Sequence, residues 1–296
     1  MTKGFRIGLS FERFVSIVLG QILRTVYKPS ATILVYHDVI SGKRKSQIQN
    51  DSVISEDFES QMKHLRENSF IPMHLQKLIW LKKRKKEIPK KSIIITFDDG
   101  YKSSYTNAYP ILQKFNIPAT VFVAAGFIGQ KKPFPWLEAE SNNSGLHESM
   151  PMNEEEIIEL YEGGVEIGSH TMYHNFLPKM NSQEIEEDIL NSQYKLRKIL
   201  GRTPLSLALP YSFPIKHREW PAFKHVLTKT LVRGNFNACC TMTRGHITSN
   251  SNPLFLRRIA VDKFDDLQFY HAKLLGGFAW SCIPQMIFQA FFKKYN

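Results

Sequence analysis

Two adjacent carboxylates, Asp98 and Asp99, follow the strand-forming run Ser92-Ile93-Ile94-Ile95-Thr96-Phe97 and precede Gly100. A second stretch, Ser169-His170-Thr171-Met172-Tyr173-His174, also follows an apolar segment and carries histidines four residues apart. If the chain turns there directly into a helix, both imidazoles lie on one face, a spacing that can chelate a divalent cation. Neighbouring carboxylates point in different directions, so one can complete a His-His-Asp ligand set that leaves positions open for water and substrate. The other then stays off the metal as a base. A helix-capping Asp-Asp before a glycine turn is the structural alternative. Taken alone the His-x-x-x-His pair is weak evidence, but its pairing with a second polar strand end favours a site.

The elements that must position these groups alternate regularly. Short apolar runs predict strands at 31–37, 92–97, 119–124, 165–170, 205–210, 236–241 and 256–261. Helix patterns fall at 55–69, with Ser55 as a cap, and at 105–116, 153–164 and 181–201. Acid-rich first turns after Asn153 and Asn181, and glycines closing both segments, are start and stop signals. Seven strands with intervening helices predict a parallel α/β fold, a distorted (β/α)7-type barrel. In such folds functional groups gather beyond the C-terminal strand ends, where Asp98, Asp99 and His170 fall. The long connection 127–151 is expected to border the site. One catalytic domain is expected over 31–270, between an N-terminal amphipathic helix in 1–30 and an apolar C-terminal segment, 271–296.

Composition bounds the partners. The 296 residues, 43% hydrophobic, suffice for one large core. Lysine and arginine exceed aspartate and glutamate by 39 to 27, for a net charge of +12. Residues 81–91 hold seven basic groups against Glu87. Such a run is a solvated surface, or a contact for anionic lipid or an acidic glycan. Base-reading motifs are missing around it, so no nucleic acid partner is expected. Cys239, Cys240 and Cys282 do not make a disulfide scaffold. The first 30 residues are interrupted by Arg6, Glu12, Arg13 and Arg24, so no signal peptide is evident there. Phe11, Phe14, Val15, Val18 and Ile22 follow helical spacing, which predicts a helix that packs on the body or lies on a membrane surface. Residues 274–292 carry no charge, yet Gly276, Gly277 and Pro284 argue for a docked or interfacial segment over a straight span. The expected location is cytoplasmic, or peripheral at the inner membrane face.

In order along the chain, "TFDDGY", "GSHTMYH" and "LALPYS", with "IPATVFV" and "GGVEIGSH" around them, resemble the motifs of polysaccharide deacetylases with a NodB-type domain, carbohydrate esterase family 4. The resemblance covers about residues 31–270. It implies a hydrolase that removes N-acetyl groups from N-acetylhexosamine residues of a polysaccharide, oligosaccharide or lipid-linked glycan and releases acetate. Asp98 is implied as the general base, and Asp99, His170 and His174 as ligands of a divalent metal, zinc before cobalt or nickel. The backbone N–H of Tyr211, just after Pro210, is implied as an oxyanion donor.

Two departures stand out. Where many members read Arg-x-Pro-Tyr, this chain reads Ala208-Leu209-Pro210-Tyr211, so the arginine that orients the base is missing. Arg258, in "LRRIAVD", is the candidate replacement, with a purely structural ion pair as the alternative. The family's late Leu-x-x-His motif is not evident, and His271 in "FYHAKL" is a poor match. A subgroup similar to biofilm poly-N-acetylglucosamine deacetylases places the general acid in an early Tyr-His pair, which fits His37 in "LVYHDV". Asp38 is expected to orient it or to cap the next helix. Tyr101, Trp136 and Phe213 are candidate sugar-stacking faces. A catalytically degenerate member that binds glycan or assembles with other proteins is the rival reading.

Overall fold

Apolar runs too short for helices, separated by amphipathic segments, lead the chain back and forth across one core. The computed structural model describes residues 3–23, 30–42, 51–140, 149–211 and 220–281. Helix α1 (Lys3–Leu23) precedes β1 (Ala31–Tyr36), the short pair β2 (Val39–Ile40) and β3 (Val53–Ile54), and α2 (Ser55–Glu67). Next come β4 (Ile71–Pro72), α3 (Leu75–Lys83), β5 (Ser92–Phe97) and a π-helical turn, Ser104–Ala108, that runs into α4 (Tyr109–Lys114). The pattern continues with β6 (Ala119–Val123), α5 (Glu154–Glu162), β7 (Glu166–Ser169), α6 (Ser182–Leu200) and β8 (Ser206–Ala208). It ends with α7 (Trp220–Arg233), β9 (Ala238–Arg244), β10 (Leu256–Ala260) and α8 (Leu267–Leu274).

All strand pairs of the main sheet are parallel, in the order β5-β6-β7-β8-β9-β10-β1, and β1 pairs back with β5. The closing register runs from Ala31↔Ser92 to Tyr36↔Phe97. This is the expected seven-stranded barrel, and β1 and β5 are buried along their whole length, as parallel strands covered on both faces must be. Strand β4 adds beside the start of β5. Helix α3, which follows β4, packs Leu75, Leu78 and Ile79 with the interior residues Ile33, Ile94, Phe122 and Cys240, closing the end where the strands begin. The basic run 81–91 continues from α3 at that closed end, with residues 83–87 exposed. Lys77 and Lys86 lie 4.6 and 4.8 Å from the Trp80 ring centroid there.

Capping follows the sequence at two of the three expected places. Asn153 and Asn181 both form capping boxes, with Glu156 and Glu184, and Gly201 ends α6 in the left-handed conformation. Ser55 does not cap α2. Ile54 occupies the cap position with no side-chain bond, and Ser55 is already helical, its hydroxyl donating to Glu56. Pairing of β3 with β2 holds Ile54 extended, so a tertiary contact moves the helix start by one residue. Helices α3 and α7 were not expected from the pattern.

The N-terminal helix packs on α8. A Cβ at Gly277 would meet Ser16 O at 2.1 Å, so only glycine allows this approach, and Trp280 Nε1 donates to Ser16 Oγ at 3.1 Å. Arg13 pairs with Asp266, and Glu12 with Arg244. The helix leaves Phe11, Phe14 and Val18 exposed on its outer side. No helix among the described residues is long and apolar enough to cross a membrane. The apolar C-terminal segment beyond residue 281 and Phe213 lie outside the described residues.

Candidate active site

At the open end of the barrel, β5 delivers Asp98 in strand geometry and Asp99 out of it. Asp98 N still donates to Tyr36 O at 2.9 Å, continuing the ladder with β1. Asp99 then turns to φ 70° and Gly100 to φ 86°. A non-glycine residue at such φ is costly and is characteristic of functional turns. The two carboxylates consequently face different partners.

Asp98 meets Arg258 from β10. The guanidinium donates Nη1–H to Oδ1 at 2.7 Å and Nη2–H to Oδ2 at 2.6 Å, a two-pronged clamp with both side chains fully buried. The same guanidinium donates Nε–H to Thr241 O at 3.2 Å and Nη1–H to Thr96 Oγ1 at 3.3 Å. Burial by itself would push the Asp98 carboxyl up, but the charges of Arg258 and His170 outweigh it and hold Asp98 below the usual carboxylate range. Although "LALPYS" lacks an arginine, one thus reaches Asp98 from β10, 160 residues after Asp98 in the chain.

Asp99 faces two imidazoles. Its Oδ1 lies 3.1 Å from His170 Nε2 and 3.3 Å from His174 Nε2. His170 Nδ1 lies 2.9 Å from Ala208 O, so Nδ1 carries the proton and Nε2 keeps its lone pair for a ligand. Although buried, Asp99 Oδ1 has no hydrogen-bond partner in a proper direction among the described residues, and neither does His174 Nδ1. The three ligand atoms lie within 4.8 Å of one another. Two imidazoles and a carboxylate converging in this way fit a divalent cation with open positions. Burial pushes the Asp99 carboxyl up, yet the adjacent His170 and His174 imidazoles bring it below the usual range. Burial pushes His174 down to about 4, which keeps it neutral and able to ligate. His170 is also opposed by burial, but Asp98 and Asp99 raise it.

The helical face expected for His170 and His174 is not what brings them together. Residues 170–176 form a loop, with Thr171 at φ 64° and His174 at φ 56°. Thr171 N donates to Ser169 Oγ and His174 N to Thr171 Oγ1, local bonds that compete with helix formation. A left-handed turn, rather than helix periodicity, aims both rings at Asp99.

The sequence profile of the polysaccharide deacetylase family matches residues 85–225. The poly-β-1,6-N-acetyl-D-glucosamine N-deacetylase of Staphylococcus aureus is 30% identical over 232 residues, covering 75% of this chain and 72% of that protein. The chain belongs to the polysaccharide deacetylase family. In fold, the deacetylase resembles a de-N-acetylase from Aggregatibacter actinomycetemcomitans, with a TM-score of 0.65, 18% identity, and coverage of 82% of this chain and 99% of that one. IcaB from Ammonifex degensii gives a TM-score of 0.63 at 22% identity, covering 83% of this chain and 97% of that one.

Around the metal-type cluster, the deacetylase builds an aromatic wall. Trp136, from the long connection after β6, stands 4.5 Å from the His174 ring, and Tyr211 stands 4.6 Å from it. Tyr211 is half-exposed at φ 60°, and Pro210 before it is buried. Tyr101 is not an open stacking face. It is 2% exposed, and its hydroxyl accepts from Trp136 Nε1 at 2.9 Å, so it supports the wall from beneath.

His37 follows β1 directly. The Tyr36↔Phe97 register sets it beside Asp98. Its Nδ1 is buried without a hydrogen-bond partner among the described residues. Asp38 accepts from Ser103 Oγ and Ser149 Oγ, which ties the long connection to the site rather than capping a helix. His271 lies on α8 with Nδ1 2.8 Å from His64 Nε2, engaged in the outer layer. Sequence reasoning missed Thr96, which supports Arg258, and Asp188, a carboxylate on the buried stripe Ile185, Ile189, Ser192 and Leu196 of α6. The legible signal for Asp188 was an acid where the helical pattern calls for an apolar residue.

Proposed function

We infer that the protein hydrolyses the N-acetyl groups of N-acetylhexosamine residues in a glycan, releasing acetate and leaving a free amine. The observation that carries this is the ionised Asp98, clamped by Arg258, with Oδ2 4.0 Å from His170 Nε2 of the ligand cluster. In this reading Asp99, His170 and His174 hold zinc, or alternatively cobalt or nickel, and a cation bound there supplies Lewis-acid polarisation of the amide carbonyl and the attacking water. Asp98 removes the proton of that water, and the Arg258 clamp keeps its carboxylate charged and aimed. The N–H of Tyr211, on the left-handed turn after Pro210, donates to the oxygen that becomes negative. His37, on the other side of Asp98, returns a proton to the departing amine. The name of the staphylococcal relative supports poly-β-1,6-N-acetylglucosamine as the first substrate to try. The two-pronged Asp98–Arg258 pair supports an active enzyme over a degenerate, purely binding member.

The exposed stripe of α1, together with the net charge of +12, supports a peripheral membrane contact at the inner face for the same enzyme. Flotation with anionic vesicles reads it, and failure to float in low salt contradicts it.

Acetate release is the direct assay. Chelated protein should be inactive on β-1,6-linked and β-1,4-linked N-acetylglucosamine oligomers and regain release with zinc, cobalt or nickel. No metal-dependent release from any acetylated amino-sugar oligomer would contradict the proposal.

A further inference from the structure

Two of the three residues in the cluster sit on a loop, 170–176, that is neither helix nor strand; His170 N donates to Val123 O, and Thr171 O and Met172 O accept from Ala125 N and Gly126 N. Its shape depends on what the rest of the chain offers to its backbone. The helix behind it, α6, meets the end of β7 at one point and this loop at two. Ser192 Oγ lies 2.8 Å from Ser169 Oγ, just before His170. One turn earlier on the same face, Asp188 Oδ1 accepts from Met172 N at 2.8 Å, between the two histidines. Its Oδ2 accepts from Asn175 Nδ2 at 3.2 Å, just after His174. Asp188 is 7% exposed, so its two bonds stand largely out of competition with water.

The helix that presents Asp188 is well fixed. A capping box closes its start, Gly201 at φ 66° closes its end, and Ile185, Ile189 and Leu196 anchor its inner stripe. We propose that Asp188 is the positioning residue of the metal-chelating turn, its carboxylate bracketing His174 by binding the chain on both sides of it. It touches neither ring. By holding Met172 N and Asn175, it maintains the left-handed conformations at Thr171 and His174 that aim both Nε2 atoms at Asp99. Without it, the turn relaxes to lower-energy backbone states and the donors must be re-ordered whenever a cation binds, which weakens affinity rather than chemistry.

The test is a metal-affinity titration against a chromogenic chelator, using zinc, on purified Asp188→Ala, Asp188→Asn and Asn175→Ala proteins. Circular dichroism and the melting midpoint of the chelated proteins serve as folding controls. Asp188→Ala should bind zinc about 10- to 100-fold more weakly than wild type, the range seen when groups behind a ligand are removed. Asn175→Ala, which loses one arm, should weaken binding less. Asp188→Asn keeps the shape and an acceptor for Met172 N, so it stays measurable if the alanine variant fails to fold, and it too should weaken binding. Excess zinc should restore acetate release by the folded variants. Folded Asp188→Asn and Asn175→Ala proteins with wild-type zinc affinity would overturn the proposal, as would lost activity that excess zinc does not restore. The inference rests on the metal reading above. Wild-type protein that takes up no divalent ion would overturn that reading, whereas equal affinity in wild type and variants overturns this inference alone.

Discussion

Asp98 and Asp99 are neighbours in the chain, yet the two halves of the site they lead are built in opposite ways. The Asp98 half is complete in protein atoms: both carboxylate oxygens receive an N–H from one buried guanidinium, carried on β10. The Asp99 half is left incomplete. Its Oδ1 lacks a directed partner among the described residues, and its three donors sit on or beside backbone in left-handed conformations. On the proposed roles, the carboxylate that takes a proton is satisfied in advance, whereas the cluster that would receive a cation keeps its lone pairs unspent.

The largest effect that separates the halves is expected at the ligands. His170→Ala or His174→Ala should abolish zinc binding in equilibrium dialysis and acetate release with it, with circular dichroism as the check that the variants fold. Retained zinc in both variants would place the cation elsewhere. Next is Arg258→Met, which leaves Asp98 buried and unpaired. A loss of about 3–5 kcal/mol in denaturant unfolding is expected for a broken buried pair. Arg258→Lys should not recover it, because one ammonium cannot serve both carboxylate oxygens. A variant as stable as wild type would mean the clamp is only an incidental contact.

Smaller effects sharpen the contrast. Tyr101→Phe removes the acceptor of the Trp136 indole N–H and should cost about 1 kcal/mol in thermal or chemical unfolding. Glu166, at the opposite end of the barrel, serves as a control for Asp98. It too is largely buried but has no arginine clamp, accepting from Thr120 Oγ1 and Gln76 N, and burial raises its carboxyl to about 7. A raised folded-state value means its contribution to stability is fully present below its ordinary value of 4.5 and is lost as pH climbs through about 7. Melting midpoints should therefore fall from pH 5 to pH 8, and Glu166→Gln should flatten part of that fall. An unchanged slope would show that Glu166 ionises normally.

How far the sequence reveals this arrangement depends on the range of each interaction. Strand-forming runs and asparagine caps are local, so the barrel and most helix starts were legible; Ser55 failed because β2 fixes Ile54 from outside the helix. The convergence of Asp99, His170 and His174 was legible by residue type, but its geometry was misjudged, since periodicity cannot foresee a turn bonded by Thr171 and Asp188. Arg258 was reachable only because a motif lacked its arginine and another strand offered one. Tyr101 shows the limit of reading aromatics: type suggests a stacking face, while packing under Trp136 and Phe134 decides otherwise.

The central claim is that Asp98 takes the proton while Asp99 holds the cation, and one pair of variants separates them. Zinc content and acetate release should be measured together for Asp98→Asn and Asp99→Asn. The account predicts that Asp98→Asn keeps its zinc and loses about 10²- to 10⁴-fold in turnover, whereas Asp99→Asn loses the zinc itself. Turnover by Asp98→Asn close to wild type, or zinc lost from Asp98→Asn and kept by Asp99→Asn, would contradict it.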